Sequence, residues 1–204
     1  MKFFNKIKRF LRKESEPVIV VSGLPRSGTS MMMKMLEAGG LEVLTDHIRQ
    51  PNEDNPQGYY EFERVKKLSN GDTEWLKDAE GKAVKIISAL LMHLPSSYTY
   101  KILFMRRNMA EILASQKQML VRRGEPTDKV GDAEMARLFE KHLREVQTWL
   151  DRQPHITYMD VDYNAMLRDP HSHITQVLAF LGRPLDLEKM IEVIDPALYR
   201  QRKG

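Results

Sequence analysis

Gly23-Leu24-Pro25-Arg26-Ser27-Gly28-Thr29-Ser30 follows the apolar β-formers Val18 to Val21 and runs straight into the helical pattern of Met31 to Ala38. A strand, a glycine-bearing turn and a helix N-terminus in that order make an anion site. The loop amides and the positive end of the helix dipole both face the incoming charge. Gly23 and Gly28 have the spacing of a nucleotide P-loop, but Thr29 stands where that motif needs Lys. The cation lies inside the loop instead, as Arg26, whose planar fork suits a tetrahedral oxyanion. Gly28 lets the backbone approach the ligand closely, while Ser27, Thr29 and Ser30 add hydroxyl donors. A second pair lies further on. Arg107 closes a predicted strand, Asn108 can cap the helix that follows, and Ser115 lies two turns along it. Arg107 and Ser115 can hold one anion between them.

The elements that must position these groups alternate along the chain. Leu41–Thr45, Ala83–Ile87, Lys101–Met105 and His155–Val161 read as strands after the first. Helices are predicted over Phe62–Asn70, near Asp72–Asp78 and over Asn108–Arg123. Met135, Leu138, Phe139, His142, Leu143, Val146, Trp149 and Leu150 mark a long amphipathic one. Asp169-Pro170 supplies an N-cap and a first-turn proline for a last helix that Gly182 ends. Asp46 to Tyr60 is polar and reads as a loop over the sheet edge. Strand–helix alternation predicts an α/β fold, a three-layer α/β/α domain with a central parallel sheet like that of P-loop NTPases. Such sheets bind ligands at the carboxyl ends of their strands. The Pro25–Ser30 loop, Asp46 and Arg106–Asn108 all fall there.

Composition narrows the class. The 204 residues, 42% hydrophobic and 29% charged, are ordinary for one globular domain. No stretch approaches the roughly 18 apolar residues of a membrane span. Cysteine is absent, which excludes disulfides and thiolate chemistry and suits a reducing compartment, so a cytoplasmic location is expected. The net charge of +4 suits an anionic ligand. Six of the cations fall in the first 13 residues, where Phe3, Phe4, Ile7, Phe10 and Leu11 keep helical spacing. Residues 1–16 thus read as a basic amphipathic segment ahead of a domain over 17–204. Its first 13 residues can lie on an anionic membrane surface, making the protein peripheral to the membrane.

Taken together, the motifs resemble those of sulfotransferases that use 3′-phosphoadenosine 5′-phosphosulfate (PAPS), in particular small bacterial members. Pro25-Arg26-Ser27-Gly28-Thr29-Ser30 resembles the family's loop for the 5′-phosphosulfate, with Arg where many members have Lys. Arg107 and Ser115 match the Arg and Ser that grip the 3′-phosphate. Val161-Asp162-Tyr163-Asn164-Ala165-Met166-Leu167-Arg168-Asp169-Pro170, then Phe180-Leu181-Gly182, resembles the family's late Y-x-x-L-x-x-D-P and F-L-G segment. Arg202, in the terminal Arg-Lys-Gly, is similar to the residue that finishes the 3′-phosphate site.

The resemblance implies transfer of a sulfuryl group from PAPS to an acceptor hydroxyl or amine, leaving adenosine 3′,5′-bisphosphate, with no metal. Arg26 and the loop amides would stabilise charge on the leaving phosphate. The acceptor is expected to be a small molecule or carbohydrate, not a nucleic acid; its identity and the oligomeric state stay open. A general base must take the acceptor's proton. Cytosolic members place a His after a Lys at the third strand, but here Lys85 is followed by Ile86 and Ile87. Other members use an acid just after the second strand. Asp46 stands first on that ground, then Glu61, with His47 and Asp54 behind. Each can also be a turn-capping residue.

Lys85 can contact the transferring sulfate or simply be solvated, and His93, His142 and Trp149 read as structural. Histidines 155, 171 and 173 lack spaced carboxylate partners for a metal. Two rival readings keep the loop and change the chemistry. A nucleotide-dependent phosphotransferase or kinase needs Mg²⁺ and normally a loop Lys, with Asp160 the one tempting metal-binding acid. A non-catalytic nucleotide-binding protein would keep the site without a base.

Overall fold

The computed structural model describes residues 15–46, 48, 58–127 and 130–194. The basic N-terminal segment, the loop candidates His47 and Asp54, and Arg202 lie outside them. Five strands form one sheet: β1 (Val18–Gly23), β2 (Val43–Leu44), β3 (Ala83–Lys85), β4 (Tyr100–Arg106) and β5 (Ile156–Asp162). All are parallel and ordered β2-β3-β1-β4-β5.

Every residue of β1 is buried, because both faces of the central strand are covered. Ile19 and Val21 point into one core with Met32, Met33, Leu36, Ile174, Val177 and Met190. These come from α1 (Thr29–Ala38), α6 (Pro170–Leu181) and α7 (Leu187–Glu192). Val18 and Val20 point the other way, into a core with Trp75, Leu76, Leu91, Val146 and Leu150. That layer holds α2 (Leu76–Ala79), α4 (Asp132–Leu150) and two 3₁₀ helices, Glu63–Asn70 and Ser88–His93. The remaining helices are α3 (Met109–Arg122) and α5 (Tyr163–Arg168). The three-layer architecture is the expected one.

Local chemistry sets the element ends. The Asn108 side chain accepts from the Ala110 N–H at 2.9 Å and from Glu111 at 3.4 Å, opening α3. Asp169 caps α6 at Ser172, and Gly182 stops it with a left-handed φ of 67°. The Lys101 ammonium then takes up the Phe180 and Leu181 carbonyls at 2.9 and 2.8 Å. A cation at that end offsets the helix dipole. The segment expected as a helix over Phe62–Asn70 is a 3₁₀ helix from Glu63. Its apolar residues Phe62, Val65 and Leu68 recur every third residue, and three per turn stacks them on one edge.

The predicted strands at 41–45 and 83–87 are shorter than their apolar runs, because the second and third strands pair only over Val43–Leu44 and Ala83–Val84. Edge strand β5 carries an Arg106–Asp160 ion pair at 2.8 Å, a charged edge that discourages further strand pairing. Among the described residues no helix is long and apolar enough to cross a membrane.

Replacing Ile102, fully buried in β4, by Ala should cost about 2–5 kcal/mol in urea unfolding. Asp169→Ala, losing only a cap, should cost about 1 kcal/mol.

Candidate active site

The loop from β1 to α1 opens a cavity of ≈ 380 Å³ lined by Gly23, Leu24, Pro25, Arg26, Thr29 and Ser30. Two features of the loop are unusual for a plain strand-to-helix turn. Arg26 adopts a left-handed φ of 69°, rare for a residue with a side chain. Gly28, at φ 99°, caps α1 without any side-chain hydrogen bond. A Cβ at Gly28 would enter the Tyr163 ring. Behind the loop the Ser27 hydroxyl is buried, 1% exposed, with no hydrogen-bond partner among the described residues. An unsatisfied buried hydroxyl costs about 1–3 kcal/mol.

The structure brings Arg26, Arg107 and Ser115 together, although 81 and 89 positions separate the others from Arg26. The Arg26 Nε donates to the Ser115 hydroxyl at 3.0 Å. The Arg107 Nη1 donates to the Arg26 carbonyl at 3.1 Å. Arg107 also pairs with Glu111 at 3.0 Å and lies over the Tyr163 ring, 4.6 Å from its centroid. These contacts join three segments: the loop, the start of α3 and the start of α5.

Among the described residues, the cations Arg26, Lys66, Lys85 and Arg123 stand around the cavity against one lining carboxylate, Glu61. Glu61 is 22% exposed, with the Lys66 ammonium 3.7 Å from its Oε2. The Lys85 ammonium donates to the Tyr59 carbonyl. Asp46 is placed differently. Its Oδ2 accepts the Glu63 N–H at 2.6 Å and its Oδ1 the Ile48 N–H at 3.1 Å, and it does not line the cavity. Between Tyr59 and Glu61, Tyr60 turns outward with φ 49° and donates to Glu37 on α1 at 2.6 Å. Burial, then that carboxylate, pushes the Tyr60 phenol well above its ordinary pKa, so it stays a donor. Ile87 is half-exposed at the cavity, where a cytosolic-type base would stand. His142 meets the Ser88 hydroxyl at 2.8 Å across the α4 contact, a structural placement.

Residues 16–204 match the sequence model of the sulfotransferase domain. The chain belongs to the sulfotransferase family. Its fold is that of sulfotransferase STF1 from Mycobacterium tuberculosis H37Rv, with 18% identity and TM-score 0.59, covering 93% of this chain and 73% of that one. The sulfotransferase domain of the curacin biosynthetic pathway gives 15% identity and TM-score 0.52, over 88% and 78%. Mouse sulfotransferase SULT7A1 complexed with PAP gives 18% identity and TM-score 0.49, over 87% and 62%. No curated protein matches in sequence.

The protein is therefore a PAPS-dependent sulfotransferase, and the phosphotransferase reading is not favoured. Reading this sulfotransferase from its sequence passed over Glu111, Lys66 and Arg123. Glu111 had a signal, standing four residues after Arg107 on one helix face. Lys66 and Arg123 had none, since their approach to the cavity depends on the 3₁₀ turn and on the length of α3.

Gly28→Ala should destabilise the sulfotransferase by well over the roughly 1–3 kcal/mol of backbone strain, because strain adds to the Tyr163 clash. Gly40→Ala is the comparison: φ is 97° there but nothing lies within 4 Å of the added carbon. Equal losses in urea unfolding would mean that the Tyr163 contact has no weight.

Proposed function

We propose that Arg26, Ser27, Thr29 and Ser30, with the loop amides, hold the 5′-phosphosulfate end of the donor. Pro25 and Gly28 shape that cradle, Arg107 and Ser115 hold the 3′-phosphate, and Glu61 is the general base. Arg202 joins the 3′ end in this reading. The observation that carries it is the charge layout of the cavity, with four cations and a single carboxylate among its described lining residues. The α1 N-terminus and the left-handed Arg26, both at the cavity, support an oxyanion in the loop.

When bound, PAPS supplies the sulfuryl group, and adenosine 3′,5′-bisphosphate remains after transfer. The chain's own part is placement and charge. Arg26 and the α1 N-terminus stabilise negative charge where the bond to the leaving phosphate breaks. Lys85, steadied by the Tyr59 carbonyl, presents a further positive charge to the same space. Glu61 takes the acceptor's proton, with the Lys66 ammonium 3.7 Å from its Oε2. Two anchors on one donor fix its reacting end for in-line attack.

Asp46 is a holding residue in this reading. Its carboxylate is spent on two backbone N–H groups, and its own N–H donates to the Glu61 carbonyl at 3.2 Å. Phe62, Val65, Ile87, Leu90 and Met119 make the remaining wall apolar. That supports a small-molecule acceptor whose hydroxyl or amine sits on an apolar body over a carbohydrate. A chain without cysteine suits the cytoplasm, and the basic segment of residues 1–13 suits an anionic membrane surface.

Calorimetric titration should show adenosine 3′,5′-bisphosphate binding while Mg·ATP is ignored, and Arg107→Ala should weaken it by about tenfold or more. Binding of Mg·ATP alone would overturn the donor site. With 2-naphthol as probe acceptor, Glu61→Gln should lower turnover by roughly 10²–10⁴ with bisphosphate affinity unchanged. Asp46→Asn should instead lower the melting temperature. Turnover that survives Glu61→Gln would remove Glu61 as the base.

A further inference from the structure

Glu111 is a carboxylate only 3% exposed, and it does not line the cavity. Its Oε2 accepts the Arg107 Nε at 3.0 Å. The Asn164 amide nitrogen lies 3.1 and 3.0 Å from its two oxygens. Asn164 is fixed from its other end, where its Oδ1 accepts the Asn108 N–H at 3.2 Å. Reversing that amide would set its NH₂ against the Asn108 N–H and its oxygen against the carboxylate, so the orientation is determined. Arg107, held along one edge by Glu111, has the Arg26 carbonyl on Nη1 and Tyr163 beneath its plane.

Burying an arginine–carboxylate pair costs several kcal/mol of hydration per ion and adds little net stability over apolar packing. What such a pair does supply is direction, since the guanidinium fork has one geometry that meets all of its partners.

We propose that Glu111 and Asn164 are positioning residues of the donor site. They lock Arg107 against the Arg26 carbonyl before any ligand arrives, so the guanidinium reaches a phosphate without first losing side-chain freedom. Immobilising such a side chain on binding costs affinity, and here folding has already done it. The inference rests on Arg107 being the 3′-phosphate ligand. It adds that affinity is set one residue further back, by a carboxylate and an amide that touch no ligand.

The test exchanges the two groups. Glu111→Gln points an NH₂ at the Asn164 NH₂, and Asn164→Asp sets a carboxylate beside the Glu111 carboxylate. Each alone should weaken adenosine 3′,5′-bisphosphate by about tenfold in calorimetry of the full chain. In Glu111→Gln with Asn164→Asp the pattern is restored. The Gln oxygen accepts from Arg107, its NH₂ donates to the new Asp, and that Asp still accepts the Asn108 N–H. Affinity should return to within about threefold of the native chain. A merely structural pair would move the melting temperature and leave the bisphosphate affinity alone.

Single variants that bind as the native chain does, or a double variant whose loss is the sum of the two, overturn the proposal. If Glu111→Gln does not fold, half-buried Asn164→Ala carries the same expectation, binding weaker by about tenfold at a temperature where the variant is fully folded. Native-like binding there overturns the proposal as well. A native chain that does not bind the bisphosphate, or Arg107→Ala that binds it normally, is a different failure and falls on the assignment of Arg107.

Discussion

The Arg107 guanidinium lies 9% exposed at the end of β4, between the Arg26 carbonyl, the Tyr163 ring and the Glu111 carboxylate. It ties together three segments that the chain delivers separately. One is the loop after β1, one the start of α3, and one the junction of β5 with α5. Remove it and the Arg26 carbonyl, which belongs to a left-handed residue, loses the donor that holds the loop in that shape. Tyr163 is locked from both sides, by the arginine and by a glycine whose missing side chain makes room for the ring. The loop conformation and the arginine position are thus one constraint seen from two directions.

That constraint is available because of where the strands end. β1 is central, with β3 on one side and β4 on the other, so the connections that leave it diverge at its carboxyl end. A crevice opens where parallel connections part, and the groups that close it must come from the neighbouring strand ends. Lys85 comes from β3, Arg107 follows β4, and Tyr163 and Asn164 follow β5. All stand in register with the loop because the sheet is parallel and β1 pairs with β4 along its whole length, Val18 with Tyr100 through Gly23 with Met105. The two cores, one to each face, hold that register rigid while the crevice gathers the charged groups.

Much of this was readable from residue types. The strand–turn–helix around Arg26, the Arg107–Ser115 spacing and the alternation of elements each rest on local chemistry that survives folding unchanged. The acids after β2 are ordered differently by sequence and by fold: position along the chain puts Asp46 ahead of Glu61, whereas Glu61 lines the cavity and Asp46 does not. Asp46 and Glu61 are both carboxylates near a strand end, 15 positions apart. Their difference arises only when the 3₁₀ helix forms and presents the Glu63 N–H, which Asp46 captures at 2.6 Å. The sequence predicts a helix over Phe62–Asn70, and the repeat of its apolar residues at every third position makes it a 3₁₀ helix. α5 and α7 are absent from that reading because six residues give too few turns for any period to declare itself.

The segment 58–61 shows how a carboxylate is delivered to a cavity by strain elsewhere. A left-handed tyrosine costs of order 1–3 kcal/mol and persists only where its surroundings over-determine it. Tyr60 has those surroundings: a 2.6 Å bond to Glu37, and ring packing against the α1 core. On one side the Tyr59 carbonyl is bound by Lys85. On the other, the Glu61 carbonyl accepts from both the Asp46 N–H at 3.2 Å and the Thr45 hydroxyl at 2.9 Å. With both flanking carbonyls fixed, the bend between them turns Tyr59 and Glu61 toward the cavity and sends Tyr60 to the helix that begins at the anion loop. The two acids of the region therefore divide the work. Asp46 commits both carboxylate oxygens to backbone N–H groups so that the segment is held, and Glu61, held by its backbone, lines the cavity beside Lys66.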